Sequence, residues 1–359
     1  MKIVCFPEDS NNPYQEMLYR PMRAAGVPVA YLTMPTKSAT LNLLTFMPQL
    51  VWFRLRGYTV FHLHWVIPFA PASLPWRSRF GKRLLYLHYA AFLSLVKLLG
   101  YKLVWTAHNA LPLMGAFYND VAARRMLVEK ADLVIAHSPH TLEQLEALSI
   151  RPKRSIIVPH GSYVGVYPDA TTKEEARAKL NINAGAFVYL FFGNINYYKG
   201  IGLLLESFLR LKKENALLLI VGECTVPELR EKIEKSCSAG NVVWFKGRAE
   251  DAMLQYYFAA ADIAVLPFTS ITTSGSTLLA LSFGKAVLVP RMGDLAHLPD
   301  SVSYKYNPKD KDGVLTKMEE VYEDKPALSV KNSDALKYAE ALSWPAIAEK
   351  TFIALQGLV

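Results

Sequence analysis

Residues Pro267 to Val287 read PFTSITTSGSTLLALSFGKAV. An apolar run, Ile263 to Leu266, precedes them, and the Thr/Ser/Gly loop feeds into a helix from about Thr277. A short apolar run that passes through a tight loop into a helix suggests a buried parallel strand. A helix N-terminus carries backbone N–H groups without partners and the positive end of the macrodipole. Small hydroxyl side chains and a glycine let an anion approach that end closely, and no carboxylate in the loop repels it. The stretch predicts a strand–loop–helix unit suited to a phosphate. An ordinary Ser/Thr-capped helix after a strand reads the same way, so the assignment needs support from elsewhere in the chain.

The same alternation runs through the chain. Strands are predicted at Lys2–Phe6, Val27–Thr33, Thr59–Leu63, Lys102–Thr106, Leu133–His137 and Ser155–Val158. They resume at Phe187–Phe192, Ala216–Val221, Val242–Lys246, Ile263–Leu266 and Ala286–Val289. Helical patterns lie between them, as at Tyr14–Ala25, Asp120–Lys130, Thr141–Ser149 and Gly200–Glu214. Short continuous apolar runs between helices predict parallel strands covered on both faces, and hence two doubly wound α/β units. The boundary is placed in HGSYVGVYPDATT, residues 160–172. That gives a first domain over 1–165, a second over 166–340, and a segment 341–359 whose helix (about Pro345–Leu355) is a candidate to cross back to the first domain.

A second helix start of the phosphate type follows the strand Phe187–Phe192. There Gly193, Asn194 and a turn lead to Lys199 and Gly200. The turn supplies N–H groups and Lys199 a mobile cation, a pairing that suits a diphosphate. Two such starts in one domain support each other. A Walker loop is excluded, because Gly284-Lys285 is followed by Ala286 and Leu279 stands where its first glycine belongs. No G-x-G-x-x-G follows the first strand, which disfavours a simple dinucleotide oxidoreductase.

The totals bound the class. A chain of 359 residues, 52% hydrophobic and 20% charged, suits two globular domains with large cores. Mean hydropathy is +0.14, yet no run of 18 uncharged apolar residues suggests a transmembrane helix. The N-terminus reads as a buried strand rather than a signal peptide. Three cysteines without metal-ligand spacing suit a reducing cytosol. The net charge of +9 lies entirely in the first half. Residues 1–168 hold 18 Lys and Arg against 8 Asp and Glu, whereas the remainder hold 22 against 23. An anionic partner on the first domain is expected. Two stretches there, Leu41–Tyr58 and Trp76–Tyr101, mix aromatic and aliphatic residues with basic ones. Trp76, Arg77, Arg79, Lys82 and Arg83 mark a face suited to an anionic bilayer surface. Core helices with solvated basic ends are the competing reading. No nucleic-acid-binding motif is present.

Polar residues cluster after strand ends in the first domain: Glu8, Asp9, Asn12 and Tyr14, then His62, His64 and Trp65, then His108 and Asn109. Ligands in such sheets bind beyond the carboxyl ends of the strands. These residues are expected to face a cleft between the domains. His62 and His64 are expected on opposite faces of their strand, and so without a shared metal.

With Gly193…Lys199-Gly200, TSGSTLLALSFGKAV and the Thr106-Ala-His108-Asn109-Ala-Leu-Pro112 stretch in view, the chain resembles the GT-B nucleotide-sugar glycosyltransferases along nearly its whole length. Supporting pieces are Asn12-Pro13-Tyr14, Ala131-Asp132 through His137-Ser138, Val158-Pro-His160-Gly161, Val221-Gly222, and Tyr257 through Asp262. Within that group it looks most like the bacterial GDP-mannose:glycolipid 4-β-mannosyltransferases of exopolysaccharide synthesis. The resemblance implies two Rossmann-like domains facing a central cleft, with the donor held by the second and the acceptor by the first. It implies a nucleotide-sugar donor, a polyprenyl-diphosphate-linked glycan as acceptor, and a cytoplasmic, peripheral (monotopic) position on the inner face of the cell membrane.

One departure is informative. The retaining branch of this fold carries a pair of glutamates whose positions fall here on Ile271 and Leu279, and its arginine after the glycine is here Asn194. That favours inversion. The expected donor site is Gly193, Asn194, Lys199, Gly200, Gly222, Thr272, Thr273, Ser274, Gly275, Ser276 and Thr277. These groups would stabilise the leaving diphosphate electrostatically with no metal and no cofactor. Asn12, Tyr14, Trp65 and Asn109 are expected to hold the acceptor. Inversion needs a base, with Asp120, Asp9, His108 and His64 as candidates; His108 also matches a family position that contacts the donor sugar. A retaining transferase using a UDP-sugar, and a non-catalytic nucleotide-sugar-binding partner protein, are the competing readings.

Overall fold

The structure is a computed structural model that describes residues 1–9, 12–69, 78–112, 115–271 and 273–359. It divides into two compact units, one formed by Met1–Gly161 with Trp344–Val359 and the other by Ser162–Ser343.

The first unit runs β1 (Ile3–Phe6), α1 (Tyr14–Ala24), β2 (Val29–Tyr31), α2 (Ala39–Leu55), β3 (Val60–Leu63), α3 (Arg79–Leu98), β4 (Lys102–Ala107), α4 (Asp120–Lys130), β5 (Leu133–Ala136), α5 (Pro139–Ala147) and β6 (Ser155–Ile157). Its sheet is parallel in the order β2-β1-β3-β4-β5-β6. Alternation along β1 shows why both faces are covered. Val4 and Phe6 join the core under α2, α3 and α4, while Ile3 and Cys5 join a second core on the opposite face. Phe6, Phe46, Phe69 and Phe92 pack in edge-on and tilted contacts on the first face. Burying one such ring fully contributes roughly 1.5–3 kcal/mol.

The second unit runs α6 (Lys173–Lys179), β7 (Phe187–Phe192), α7 (Ile201–Arg210), β8 (Ala216–Gly222), α8 (Pro227–Cys237), β9 (Val242–Lys246), α9 (Leu254–Ala260), β10 (Ile263–Val265), α10 (Gly275–Ser282), β11 (Val287–Pro290), β12 (Ser303–Tyr306), α11 (Gly313–Glu323) and α12 (Lys325–Ala341). Its sheet is parallel in the order β12-β11-β10-β7-β8-β9. Read from β9, that is the strand order of dinucleotide-binding sheets, and it reverses between β7 and β10.

The edge strand β12 has no counterpart among the expected strands. Lys305 interrupts its apolar pattern and reaches back with its ammonium to the Leu298 carbonyl (2.6 Å) and to Asp300 (2.8 Å).

Two motif aspartates have the same structural task in the two units. Asp132, before β5, accepts the Leu103 N–H at 2.7 Å; Asp262, before β10, accepts the Val188 N–H at 2.7 Å. Each satisfies a backbone donor at the start of a neighbouring strand and holds a cation, Lys97 in one case and Arg177 in the other.

The last helix, α13 (Trp344–Gln356), packs on the first unit. Trp344, Ile347, Ala348, Ala354 and Leu355 complete the core formed by Ile3, Cys5, Leu18 and Val104. The division falls between Gly161 and Ser162, slightly ahead of the expected 165/166 boundary. Gly161 already belongs to the first unit, where an added Cβ would lie 2.4 Å from the Trp344 ring.

Candidate active site

The strand reversal of the second unit brings two loops together. One follows β7 and the other follows β10, which places the sequence-predicted donor residues beyond the carboxyl ends of adjacent strands. Helix α10 begins at Gly275 rather than at Thr277, because Ser274 is its N-cap and accepts the Thr277 N–H at 3.2 Å. The Lys199 ammonium donates to the Ser276 hydroxyl at 2.8 Å and lies 4.8 Å from the centre of the Phe268 ring. Lys199 is buried, and burial pushes its pKa down to about 8. Burial without a counter-charge disfavours the ammonium form, and nearby negative charge would restore it. Among the described residues, the buried Thr277 Oγ1 and Asn196 Oδ1 atoms have no hydrogen-bond partner.

Glycine keeps this place open. At Gly193 (φ +123°) an added Cβ would lie 3.2 Å from both Lys199 Nζ and Ser276 Oγ, in front of the ammonium. At Gly222 (φ +152°) it would lie 2.1 Å from the Gly193 carbonyl oxygen, so the loops after β7 and β8 pack backbone against backbone. Asn194 is exposed, Gly200 caps α7 in the left-handed region, and Thr273 lies next to Ser274. Thr272 lies outside the described residues.

In the first unit the strand ends gather imidazoles. His64 follows β3, His108 follows β4, His137 follows β5, and His160 comes shortly after β6. Adjacent parallel strands lie about 4.8 Å apart, so residues that leave successive strands stand in a row. The ring centroids are 5.5 Å apart for His64–His108, 5.0 Å for His108–His137 and 5.5 Å for His137–His160. Tyr14 lies against all four rings and against Trp344.

His62 and His64 do not point to opposite faces. Residues two apart on a strand share a face, and their rings lie 4.3 Å apart, bridged by the Tyr19 hydroxyl at 2.6 and 2.9 Å. Burial lowers the pKa of His62 to about 3 and of His137 to about 4, and holds those of His64 and His108 well below the usual imidazole value.

The remaining first-unit candidates spread around this row. Trp65 stacks on His108 at 4.5 Å. Asn12 accepts the Tyr14 N–H at 3.0 Å with its side chain, fixing the entry to α1. Asn109 follows His108 and is half-buried. The Asp9 N–H donates to the Gln15 side chain at 3.0 Å. The Asp120 Oδ1 accepts the N–H groups of Ala116 (3.0 Å) and Phe117 (2.9 Å), which ties one carboxylate oxygen to its own loop. Tyr19, His137, His160 and Thr106 were not among the expected site residues. The signal for the row was a histidine at the end of successive apolar runs.

Helices α2 and α3 carry apolar side chains outward. Leu41, Leu44, Val51 and Leu55 are exposed on α2, and Phe80, Leu84, Leu87 and Leu98 on α3. Arg79 and Arg83 are exposed beside them, Lys82 is half-buried, and Arg56 covers the Trp52 ring at 3.9 Å. Trp76 and Arg77 lie outside the described residues. Among the described residues no helix is long and apolar enough to cross a membrane.

Comparison with known proteins agrees with this architecture unit by unit. The family described as Glycosyltransferase Family 4 matches residues 2–162, and Glycosyl transferases group 1 matches residues 186–324. Two curated relatives from Xanthomonas campestris pv. campestris, each named GDP-mannose:glycolipid 4-beta-D-mannosyltransferase, are 26% identical over 69% and 66% of this chain. The matches span 66% and 62% of those relatives' own length. Among solved structures, sucrose-phosphate synthase from Thermosynechococcus elongatus superposes with a TM-score of 0.79 at 17% identity, covering 100% of this chain and 99% of that one. Anabaena Alr3699/HepE in complex with UDP-glucose gives 0.74 at 15% identity, covering 99% and 100%. With both units matched by glycosyltransferase families and the whole chain superposing on such enzymes, the chain belongs to the GT-B fold glycosyltransferases.

Proposed function

We propose that this chain transfers mannose from GDP-mannose, with inversion, onto a polyprenyl-diphosphate-linked oligosaccharide in the synthesis of a cell-surface glycan. The observation that carries the reading is Lys199, a buried ammonium at the start of α10 that meets a hydroxyl and an aromatic face. A leaving nucleoside diphosphate supplies negative charge to this group, and the N–H groups and hydroxyls of Thr273 to Thr277 surround it in this reading. The sugar and the direction of transfer rest on the names of the Xanthomonas relatives. Inversion also rests on Ile271 and Leu279 at the places where retaining relatives carry glutamates.

Of the bases the sequence offers, Asp120, Asp9, His108 and His64, the proton goes in this reading to Asp120 or Asp9, with His108 positioning the sugar; Asn12, Tyr14, Trp65 and Asn109 are proposed to hold the acceptor. A thermal-shift series with GDP and UDP, followed by the product anomer, tests the reading. GDP at about 100 times its dissociation constant is expected to stabilise the protein by roughly 2.7 kcal/mol. Stabilisation by UDP alone, or a product that keeps the donor's anomeric configuration, rejects it.

The acceptor is lipid-linked in this reading, and the exposed stripes of α2 and α3 meet the cytoplasmic leaflet. Apolar side chains beside Arg79 and Arg83 gain both from burial and from anionic headgroups. The protein is expected to float with anionic vesicles. A Leu44→Asp, Leu87→Asp double variant is expected to stay behind while keeping its fold, since both side chains are exposed. A wild-type protein that fails to float removes the membrane surface from the proposal.

A further inference from the structure

The row of imidazoles has a direction. In the hydrogen-bonded series His137, His108, His64 and His62, the His137 Nδ1 lies 2.9 Å from the Val158 carbonyl oxygen. A carbonyl only accepts, so this nitrogen carries the hydrogen. A neutral imidazole has one N–H, which leaves the His137 Nε2 a lone pair facing the His108 Nδ1 at 3.3 Å. The His108 hydrogen is therefore on Nδ1, and its Nε2 lone pair faces the His64 Nδ1 at 3.3 Å.

The assignment propagates in the same way. The His64 Nε2 accepts from the Tyr19 hydroxyl at 2.9 Å, the Tyr19 oxygen accepts from the His62 Nδ1 at 2.6 Å, and the His62 Nε2 accepts from the Thr106 hydroxyl at 2.8 Å. Each link has one donor and one acceptor. Reversing a single link sets two hydrogens or two lone pairs against each other.

We infer that His137, held by the Val158 carbonyl, is a positioning residue that fixes His108 as its Nδ1–H tautomer and leaves neither His108 nor His64 a lone pair for a substrate hydroxyl. The clause about a substrate hydroxyl rests on the proposed transfer; the tautomer assignment does not. The backbone sets the pattern, since Val158 is also held in place by its own N–H, which donates to the Ala136 carbonyl at 2.8 Å. Burial keeps the row uncharged at neutral pH, because each ring in it has a lowered pKa. Four imidazoles and two hydroxyls thus hold one arrangement, anchored by a group that no side-chain substitution removes.

Long-range proton–nitrogen correlation on the full chain, with the histidine ring nitrogens labelled, reads each tautomer without donor, acceptor or turnover. The expected result is a protonated Nδ1 and an unprotonated Nε2 at His62, His64, His108 and His137. A protonated Nε2 at His108 in the wild-type protein overturns the inference. That measurement needs no variant and so stands whether or not substitutions fold.

Two variants extend the test. His137→Leu removes the acceptor facing His108, and the His108 hydrogen is expected to move to Nε2. His137→Gln offers a side-chain oxygen in its place and is expected to restore the Nδ1–H form. A folded His137→Leu protein whose His108 keeps its hydrogen on Nδ1 also overturns the positioning role. Loss of transfer with the tautomers as assigned would instead be a failure of the proposed function.

Discussion

Lys199→Ala is expected to lower turnover by about 10²–10³-fold, the loss typical when one preorganised donor to a developing negative charge is removed. The fold should survive. Lys199 is a buried ammonium bonded to a neutral hydroxyl, so its removal relieves a desolvation penalty and breaks no ion pair among the described residues. The variant is expected to melt no lower than the wild type while losing the stabilisation by GDP. Near-normal transfer by Lys199→Ala would sink the diphosphate assignment.

The same group sets an alkaline limit. Its pKa of about 8 means that the free protein loses this charge as pH rises through that value. Since kcat/KM follows the free enzyme, it is expected to fall above about pH 8, and a profile flat to pH 10 would contradict the role.

Acid is expected to unfold the first unit before neutral-pH stability would suggest. In an unfolded chain an imidazole takes up a proton near its ordinary value of 6.5, whereas His62 does so only at about 3 and His137 at about 4. Between those values the unfolded state binds more protons than the folded one. Stability is therefore complete above about pH 6.5 and is lost as pH falls toward 4. Each pKa unit is worth about 1.4 kcal/mol, so these two buried groups alone amount to several kcal/mol. His64 and His108 shift in the same direction and add to the loss. Urea midpoints followed by the fluorescence of Trp105 and Trp344, both in this unit, measure it. A midpoint unchanged from pH 7 to pH 4.5 would show that the row is not held neutral by the fold.

Much of the fold was legible because parallel strands covered on both faces must be apolar throughout. The runs at Phe187–Phe192 and Val242–Lys246 match their strands end to end. Strand β12 was not legible, since an edge strand with Lys305 breaks that rule. In the second unit, the loops that meet at the β7/β10 reversal are those the phosphate argument singled out. Glycine and hydroxyl residues at a helix start carry their chemistry in the local sequence.

The histidine row was harder to read. Its members are far apart in sequence, and only the strand order β3-β4-β5-β6 makes them neighbours. The expectation of opposite faces for His62 and His64 failed on simple geometry, because a strand repeats every two residues. Tyr19, which joins them, sits on α1, and no local pattern links a helix tyrosine to a strand more than forty residues later in the chain.

The return of α13 to the first unit has a consequence for how the chain is made. Domains fold as units during synthesis, in general from the N-terminus onward. Here the first unit to be translated lacks part of its core until Trp344, Ile347, Ala348, Ala354 and Leu355 emerge, after the whole second unit has been made. Until then Tyr14, Leu18 and the outer face of β1 lack their cover, and the side of the histidine row that Trp344 closes stays open. The second unit, continuous from Ser162 to Ser343, can finish first. Completion of the first unit's core thus waits for translation of the second unit, and a chain halted before residue 344 lacks the side chains that cover this apolar face.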